Sequence, residues 1–206
     1  MIWTCKAVIN GNVSPATLTI QTSTTYTFNL NMQNYIASSG YIQIVFPSDY
    51  DFSSQTTTSE TKTCTAISGF GFSISTAITC TLNKYTNTLL AQLAATTSSK
   101  TLSFSIASIL NPTYAKTTSA MVIQAYNTSS STPEVSDNSF KVTPTPGTLT
   151  ATLASDNDID GSYQRLSISL TLAHYIPQTG IITMLLPKWN PDSTSPKAIL
   201  SAGAIG

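Results

Sequence analysis

The feature that most constrains this chain is an internal repeat, in which one strand pattern occurs twice, 140 residues apart. Residues 34–47 read NYIASSGYIQIVFP, and residues 174–187 read HYIPQTGIITMLLP. Tyr, Ile, Gly, Ile and Pro recur in the same order, and the alternating segments 26–32 and 166–172 match at the same offset. Chance similarity among Thr-rich segments is the alternative, but the conserved spacing of Gly and Pro argues against it. The chain is therefore expected to build two related units.

An earlier element of the repeat is expected where PATLT at residues 15–19 matches PGTLT at residues 146–150. This match has an offset of 131, so the alignment gives the second copy nine additional residues before its next element. Residues 156–161 fall within that surplus, which predicts an inserted loop.

Both copies alternate apolar and polar residues, the pattern of a half-buried strand. In the first copy Ile42, Ile44 and Phe46 share one face, and a Gly and a Pro bound the segment. Downstream, KTCTAIS and SISTAITCTL flank a GFG turn and predict a hairpin, whereas TLLAQLAA is compatible with a short helix, a crossing strand or a turn. About seven short strands without a long helical pattern predict an all-β protein of tandem immunoglobulin-like β-sandwiches.

The repeat also predicts the domain boundaries. Residues 1–10 form an N-terminal strand or arm, either the end of a preceding unit or a strand donated to a neighbour, for which residues 2–9 are the candidate. Residues 11–143 form the first sandwich. Residues 144–206 form a second sandwich that is only partial, so we expect another subunit or a longer chain to complete it.

Composition excludes several functional classes. Nine basic and nine acidic residues cancel, which argues against nucleic-acid binding, and no apolar run approaches the roughly 20 residues of a membrane span. A single His without an Asp placed to orient it argues against an enzyme. The Ser- and Thr-rich composition with few charges indicates an extracellular or cell-surface location, and the absence of a signal sequence at residue 1 suggests a mature or internal piece of a longer secreted chain.

The YTF-type strand, the Gly-initiated strand ending in Pro, the cysteine pair and the segment SFSIASILNP resemble tandem immunoglobulin-like repeats. Such repeats occur in large cell-surface and secreted proteins of ciliates and other protists. The resemblance implies a repetitive, glycosylated surface or filament protein, and it implies no catalytic residues.

Cys64 and Cys80 flank the predicted hairpin with 15 residues between them. In a secreted sandwich they are expected to form a disulfide, with two buried free thiols as the alternative. Cys5 is left to pair outside this segment or to stay free. No cysteine pair has the C-x-x-C spacing of a zinc site.

The segment DNDIDG places Asp156, Asp158 and Asp160 at alternate positions before a Gly, as at the start of a Ca²⁺-binding loop. Ser167 stands where a complete EF-hand loop would need its bidentate Glu, so only a weaker Ca²⁺ site is compatible with the sequence. An ordinary acidic turn is the alternative.

Asn12-Val-Ser and Asn127-Thr-Ser match the N-glycosylation sequon, and the polar segment after Asn127 could also carry O-linked glycans. These features favour a structural role, as a subunit or repeat of an extracellular glycosylated filament that binds copies of itself end to end through β-strand complementation. The alternative is an adhesion or carbohydrate-binding module that uses a Ca²⁺-stabilised loop and exposed aromatic residues.

Overall fold

The computed structural model describes residues 9–53, 56–70, 78–127, 132–155, 166–174, 176 and 181–183. The chain divides into two compact units, Met1–Tyr175 and Ile176–Gly206. All regular structure in the described ranges is β-strand. In those ranges there is no helix long and apolar enough to cross a membrane.

The strands are, in chain order, β1 Asn10–Pro15, β2 Ser23–Asn31, β3 Tyr41–Val45, β4 Ser59–Lys62, β5 Cys64–Ser68, β6 Ile78–Asn83, β7 Thr88–Leu93, β8 Thr101–Leu110, β9 Met121–Tyr126, β10 Val135–Phe140, β11 Leu149–Ser155 and β12 Leu166–Leu172. They form a four-stranded sheet in the order β1-β2-β8-β5, a six-stranded sheet in the order β10-β9-β3-β7-β6-β4, and a separate two-stranded sheet, β11-β12. Every pairing between them is antiparallel. The all-β prediction is confirmed.

Ten strands, rather than about seven, make up the two larger sheets. The additional strands come from residues 59–93, which supply β4 to β7. Most of the ambiguous segment TLLAQLAA forms strand β7, which pairs with β3 on one side and with β6 on the other. Pairing on both sides overrides its mixed local preference.

The core forms between the four- and six-stranded sheets because each presents one apolar face. Along β2, Tyr26, Phe28 and Leu30 are fully buried, and the residues between them are half-buried. Phe28 pairs with Phe104 on β8, and their rings stack with centroids 5.2 Å apart. Aromatic cross-strand pairs of this kind stabilise a sheet beyond the area they bury.

The hairpin predicted around the two cysteines is wrong. β5 pairs with β8 in the four-stranded sheet, whereas β6 pairs with β4 and β7 in the six-stranded sheet. Cys64 and Cys80 therefore lie on opposite sheets, with their sulfur atoms at bonding distance and their Cα atoms 6.0 Å apart. The bond links the two layers of the sandwich rather than two neighbouring strands.

A buried hydrogen-bond network joins β2 to three loops at one end of the sandwich. The Tyr26 hydroxyl donates to Oδ1 of Asn111 at 2.6 Å and lies 3.1 Å from the Tyr50 hydroxyl. Nδ2 of Asn111 donates to the backbone carbonyls of Thr17 and Thr19, both at 2.8 Å. The Asn111 amide thus adds two side-chain hydrogen bonds to the irregular segment after β1.

We predict that Tyr26→Phe lowers the free energy of unfolding by about 1–3 kcal/mol, because Asn111 and Tyr50 lose a buried partner. Burial raises the pKa of Tyr26 to about 12, against a weaker lowering by its hydrogen bond to Tyr50. The stability that this group contributes is complete below pH 10, the ordinary tyrosine value, and is lost as the pH rises towards 12. Urea unfolding between pH 7 and 11 measures both effects.

Tyr85→Phe is the matched control, because Tyr85 is exposed and its change should stay within about 0.5 kcal/mol. A Tyr26→Phe variant as stable as the wild type would contradict the network.

Reduction of the Cys64–Cys80 disulfide in the wild-type chain should lower the free energy of unfolding by about 3 kcal/mol, since the bond closes a loop of this size in the unfolded state. Reduction is preferable to substitution because Cys80 is fully buried and its replacement would also disturb packing. Intact mass without reductant provides the check, and two free thiols at these positions would refute the bond.

Candidate functional site

The β1–β2 hairpin and the β11–β12 hairpin have the same register. Pro15 pairs with Tyr26 in the first hairpin, and Ser155 pairs with Leu166 in the second. Each of these second-hairpin residues lies 140 positions after its counterpart, and the pairing holds along both hairpins. The structural repeat therefore runs at a single offset through its first two strands.

This register corrects the sequence alignment of the first element. Residues 15–19 are not a strand: β1 ends at Pro15, and the strand of the repeat lies before it. The second copy has no nine-residue surplus between its first two strands, and residues 156–161 correspond to residues 16–21 of the first copy. The similarity of PATLT and PGTLT does not reflect equivalent positions in the two copies. Both segments are short and Thr-rich, so they resemble each other at an offset that the strand register does not share.

The register also corrects the boundary of the N-terminal arm. Asn10 begins β1, and Ile9 is fully buried in the core of the sandwich. These two residues belong with the first sandwich. Residues 1–8, which include Cys5, lie outside the described residues.

One face of the second hairpin is apolar and exposed. Leu149 pairs with Leu172, and Leu153 pairs with Ile168, so all four side chains lie on the same face. Their exposed fractions are 55% for Leu149, 64% for Leu153, 36% for Ile168 and 41% for Leu172. Large apolar side chains on one sheet face normally cover a core or an interface.

The first hairpin shows what a face of this kind covers when the sandwich is complete. The counterparts of Leu149, Ile168 and Leu172 are Ile9, Phe28 and Met32, and all three of these are fully buried. Two features bury them: β8 pairs with the free edge of β2, and the six-stranded sheet lies across the apolar face. Among the described residues no strand pairs with the outer edge of β12. The apolar face of the second hairpin, defined by these four residues, is the candidate functional site.

The connection between the sandwich and the second hairpin is held in place. Thr145 accepts a hydrogen bond from the Ile20 N–H at 3.0 Å and donates its own N–H to the Leu18 carbonyl at 2.8 Å. The His174 imidazole packs directly over Gly147, so a Cβ at position 147 would require the ring to move. These contacts fix residues 145–147 on the loop after β1. The sequence predicts that His174 lies at a strand end with no catalytic partner. In the structure its ring packs against Gly147.

The predicted Ca²⁺ ligands Asp156, Asp158 and Asp160 lie outside the described residues. Their Ca²⁺ site stays a prediction, although the surplus that suggested an inserted loop does not exist in the structure. In the described part of the chain no three His, Cys, Asp or Glu side chains are grouped as metal ligands would be.

The two sequon asparagines have different surroundings. Asn12 is exposed on edge strand β1, and its Oδ1 accepts a hydrogen bond from Nδ2 of Asn29 at 2.9 Å. Asn127 is half-buried after β9, and its Oδ1 accepts the Ala37 N–H at 2.8 Å. Both bonds use the oxygen, so within the described residues each Nδ2 atom is available for a glycan.

The aromatic candidates separate into core and surface. Tyr50 is buried in the core, whereas Tyr35 is exposed beside Lys100. Tyr41 lies on the outer face of the six-stranded sheet, where its ring stacks on Tyr126 with centroids 4.5 Å apart. Trp3 and Trp189 lie outside the described residues.

Sequence reasoning found half of the apolar face and missed the rest. The alternation over residues 166–172 predicts a half-buried strand, whereas Leu153 lies beyond the PGTLT segment that the sequence similarity marks as the first element. The alternation of Leu149, Ala151 and Leu153 would have identified β11.

No protein-family model, no curated protein and no solved structure matches this chain.

We predict that Asn12 carries an N-linked glycan when the chain is produced through a eukaryotic secretory pathway, because its amide nitrogen is exposed on an edge strand. Asn12→Gln should lower the mass by one glycan. Asn29→Gln, on the neighbouring strand and outside any sequon, is the control. An unchanged mass for Asn12→Gln would show that the site is unused.

Proposed function

We propose that this chain is a structural repeat of an extracellular, glycosylated filament or cell-surface fibre, assembled end to end by β-strand complementation. The single observation that carries the proposal is the exposed apolar face of the second hairpin: three of its four counterparts in the first copy, Ile9, Phe28 and Met32, are fully buried, and the fourth, Val13, is partly buried against the same core. A hairpin that has the register of a sandwich and, within the described residues, no covering strand can accept a strand from elsewhere.

The strand order supports an immunoglobulin-like identity. The sheet β1-β2-β8-β5 corresponds to the A-B-E-D sheet of that fold, and β10-β9-β3 corresponds to its G-F-C strands. The sandwich departs from the standard arrangement between β3 and β8. There β7, rather than the next strand along the chain, lies beside β3, and the disulfide joins β5 to β6.

The energetics favour covering the apolar face. A fully buried Leu or Ile side chain contributes roughly 1.5–3 kcal/mol relative to an exposed one. The four side chains of the face are one third to two thirds exposed, so a covering strand would recover a substantial part of that contribution at each. Main-chain pairing along the seven residues of β12 would add the hydrogen bonds of a sheet edge.

Complementation between subunits produces a fibre when donor and acceptor lie at different places on the subunit, because such a contact does not close on itself. The N-terminal arm is the donor in this proposal. Since Ile9 is already buried in its own core, the donated segment is limited to residues 1–8. This segment is apolar apart from Thr4 and Lys6.

In the same proposal, glycans keep the surface soluble and Ca²⁺ stabilises a loop. Glycans at Asn12 and Asn127 would add solubility to a surface with few charges. Ca²⁺ at Asp156, Asp158 and Asp160 would brace the loop that joins β11 to β12. In the alternative, an adhesion or carbohydrate-binding module, that loop would instead form part of the binding surface.

Leu153→Lys should reduce end-to-end assembly of the full chain, because it places a charge on the apolar face that a donated strand has to cover. Analytical ultracentrifugation and negative-stain electron microscopy over a range of concentrations measure the assembly. Deletion of residues 1–8 should have the same effect and would identify the arm as the donor.

Thr152→Lys is the matched control, because Thr152 neighbours Leu153 on β11 and its side chain lies on the opposite face. It should assemble as the wild type does. A wild-type chain that stays monomeric at all concentrations would refute the assembly, and fibres that persist without residues 1–8 would refute the arm alone.

A further inference from the structure

The outer face of the six-stranded sheet carries a groove of about 400 Å³ across β3, β7, β6 and β4. Its volume lies within the range of small-ligand sites. Its floor and walls include Tyr41, Gln43, Thr81, Asn83, Thr88 and Leu90.

The strand register builds this groove around one exposed apolar side chain. Leu90 on β7 is 42% exposed, although it lies on a central strand of the sheet. Gln43 of β3 pairs with it on one side, and Thr81 of β6 pairs with it on the other. Tyr41, also on β3, lines the groove, and its ring stacks on Tyr126 of the neighbouring strand β9.

The polar groups of the groove are neutral and available. Within the described residues the side chains of Gln43 and Thr81 have no hydrogen-bond partner. Asn83 uses its Oδ1 to accept the N–H groups of Tyr85 and Thr86, at 3.0 and 3.3 Å, and its Nδ2 has no acceptor among the described residues. Amides and hydroxyls supply both donors and acceptors.

The lining residues carry no formal charge, and this selects the chemistry of a ligand. A phosphate, sulfate or carboxylate would find no cation among the lining residues, and a basic ligand would find no carboxylate among them. A sugar ring offers hydroxyls around its edge, which match the amides and hydroxyls, and apolar C–H faces, which match an exposed Leu and a Tyr ring.

We propose that this groove binds a short neutral oligosaccharide. The ligand lies across β7 with a C–H face on Leu90 and the Tyr41 ring, and its hydroxyls exchange hydrogen bonds with Gln43, Thr81 and Asn83. The site lies on a different sheet from the second hairpin and does not depend on the proposed assembly.

The test is titration of ¹⁵N-labelled full-length chain with cellopentaose, mannopentaose and chitopentaose, and with a sulfated chondroitin tetrasaccharide as the charged probe. At least one neutral probe should shift the amide signals of β3, β6 and β7, and the sulfated probe should not. Thr81→Val should weaken binding about fivefold through loss of one hydrogen bond, and Leu90→Lys should abolish it.

Thr65→Val is the matched control, since Thr65 is exposed on a strand of the other sheet. Tyr35→Ala should leave binding unchanged, because Tyr35 is exposed but does not line the groove. The proposal is overturned if no neutral probe shifts these strands, if the sulfated probe binds there equally well, or if Thr81→Val and Thr65→Val have the same effect.

Discussion

The structure depends on one constraint, that an apolar sheet face has to be covered by a second sheet. In the first sandwich β8 supplies the partner for the edge of β2, and the six-stranded sheet covers the face. The Phe28–Phe104 stack is the centre of that arrangement. The second hairpin repeats the register of the first without these partners, and its exposed leucines and isoleucine follow directly from their absence in the described residues.

Both edge strands of the six-stranded sheet are protected, whereas in the described residues the outer edge of β12 is open. On edge strand β4 the Lys62 side chain points inward, where its ammonium donates to Glu60 at 3.0 Å and to the Ser108 carbonyl at 3.3 Å. An inward charge of this kind discourages a further strand from pairing. Edge strand β10 carries an irregular register, which has the same effect. β12 has seven regularly paired residues, without an inward charge or a register shift. A further strand is therefore expected to pair with β12 rather than with the edges of the six-stranded sheet.

The sequence is sufficient to predict those features of the fold that depend on local alternation of apolar and polar residues. The burial of Tyr26, Phe28 and Leu30 follows from their period of two, and the all-β class follows from the absence of a helical pattern. The partners of each strand do not follow from alternation, because a Thr-rich strand fits any neighbour whose faces match. For this reason β5 and β6 were expected to pair, and the groove around Leu90, which depends on the register of three strands, could not be foreseen.

The hydroxyl-rich composition, with few charges and no net charge, is consistent with both proposals together. In a fibre every unit carries the same charge, so a net charge on one unit would repeat along the assembly and oppose it. Nine acidic and nine basic residues cancel, which removes that opposition, and Ser, Thr and glycans then have to keep the surface hydrated. A shallow groove with a few hydrogen bonds would bind a single sugar chain weakly. Repetition of that groove along a fibre would make each further binding event intramolecular and raise the overall affinity without any new contact. End-to-end assembly would thus convert a weak neutral site into an adhesive surface.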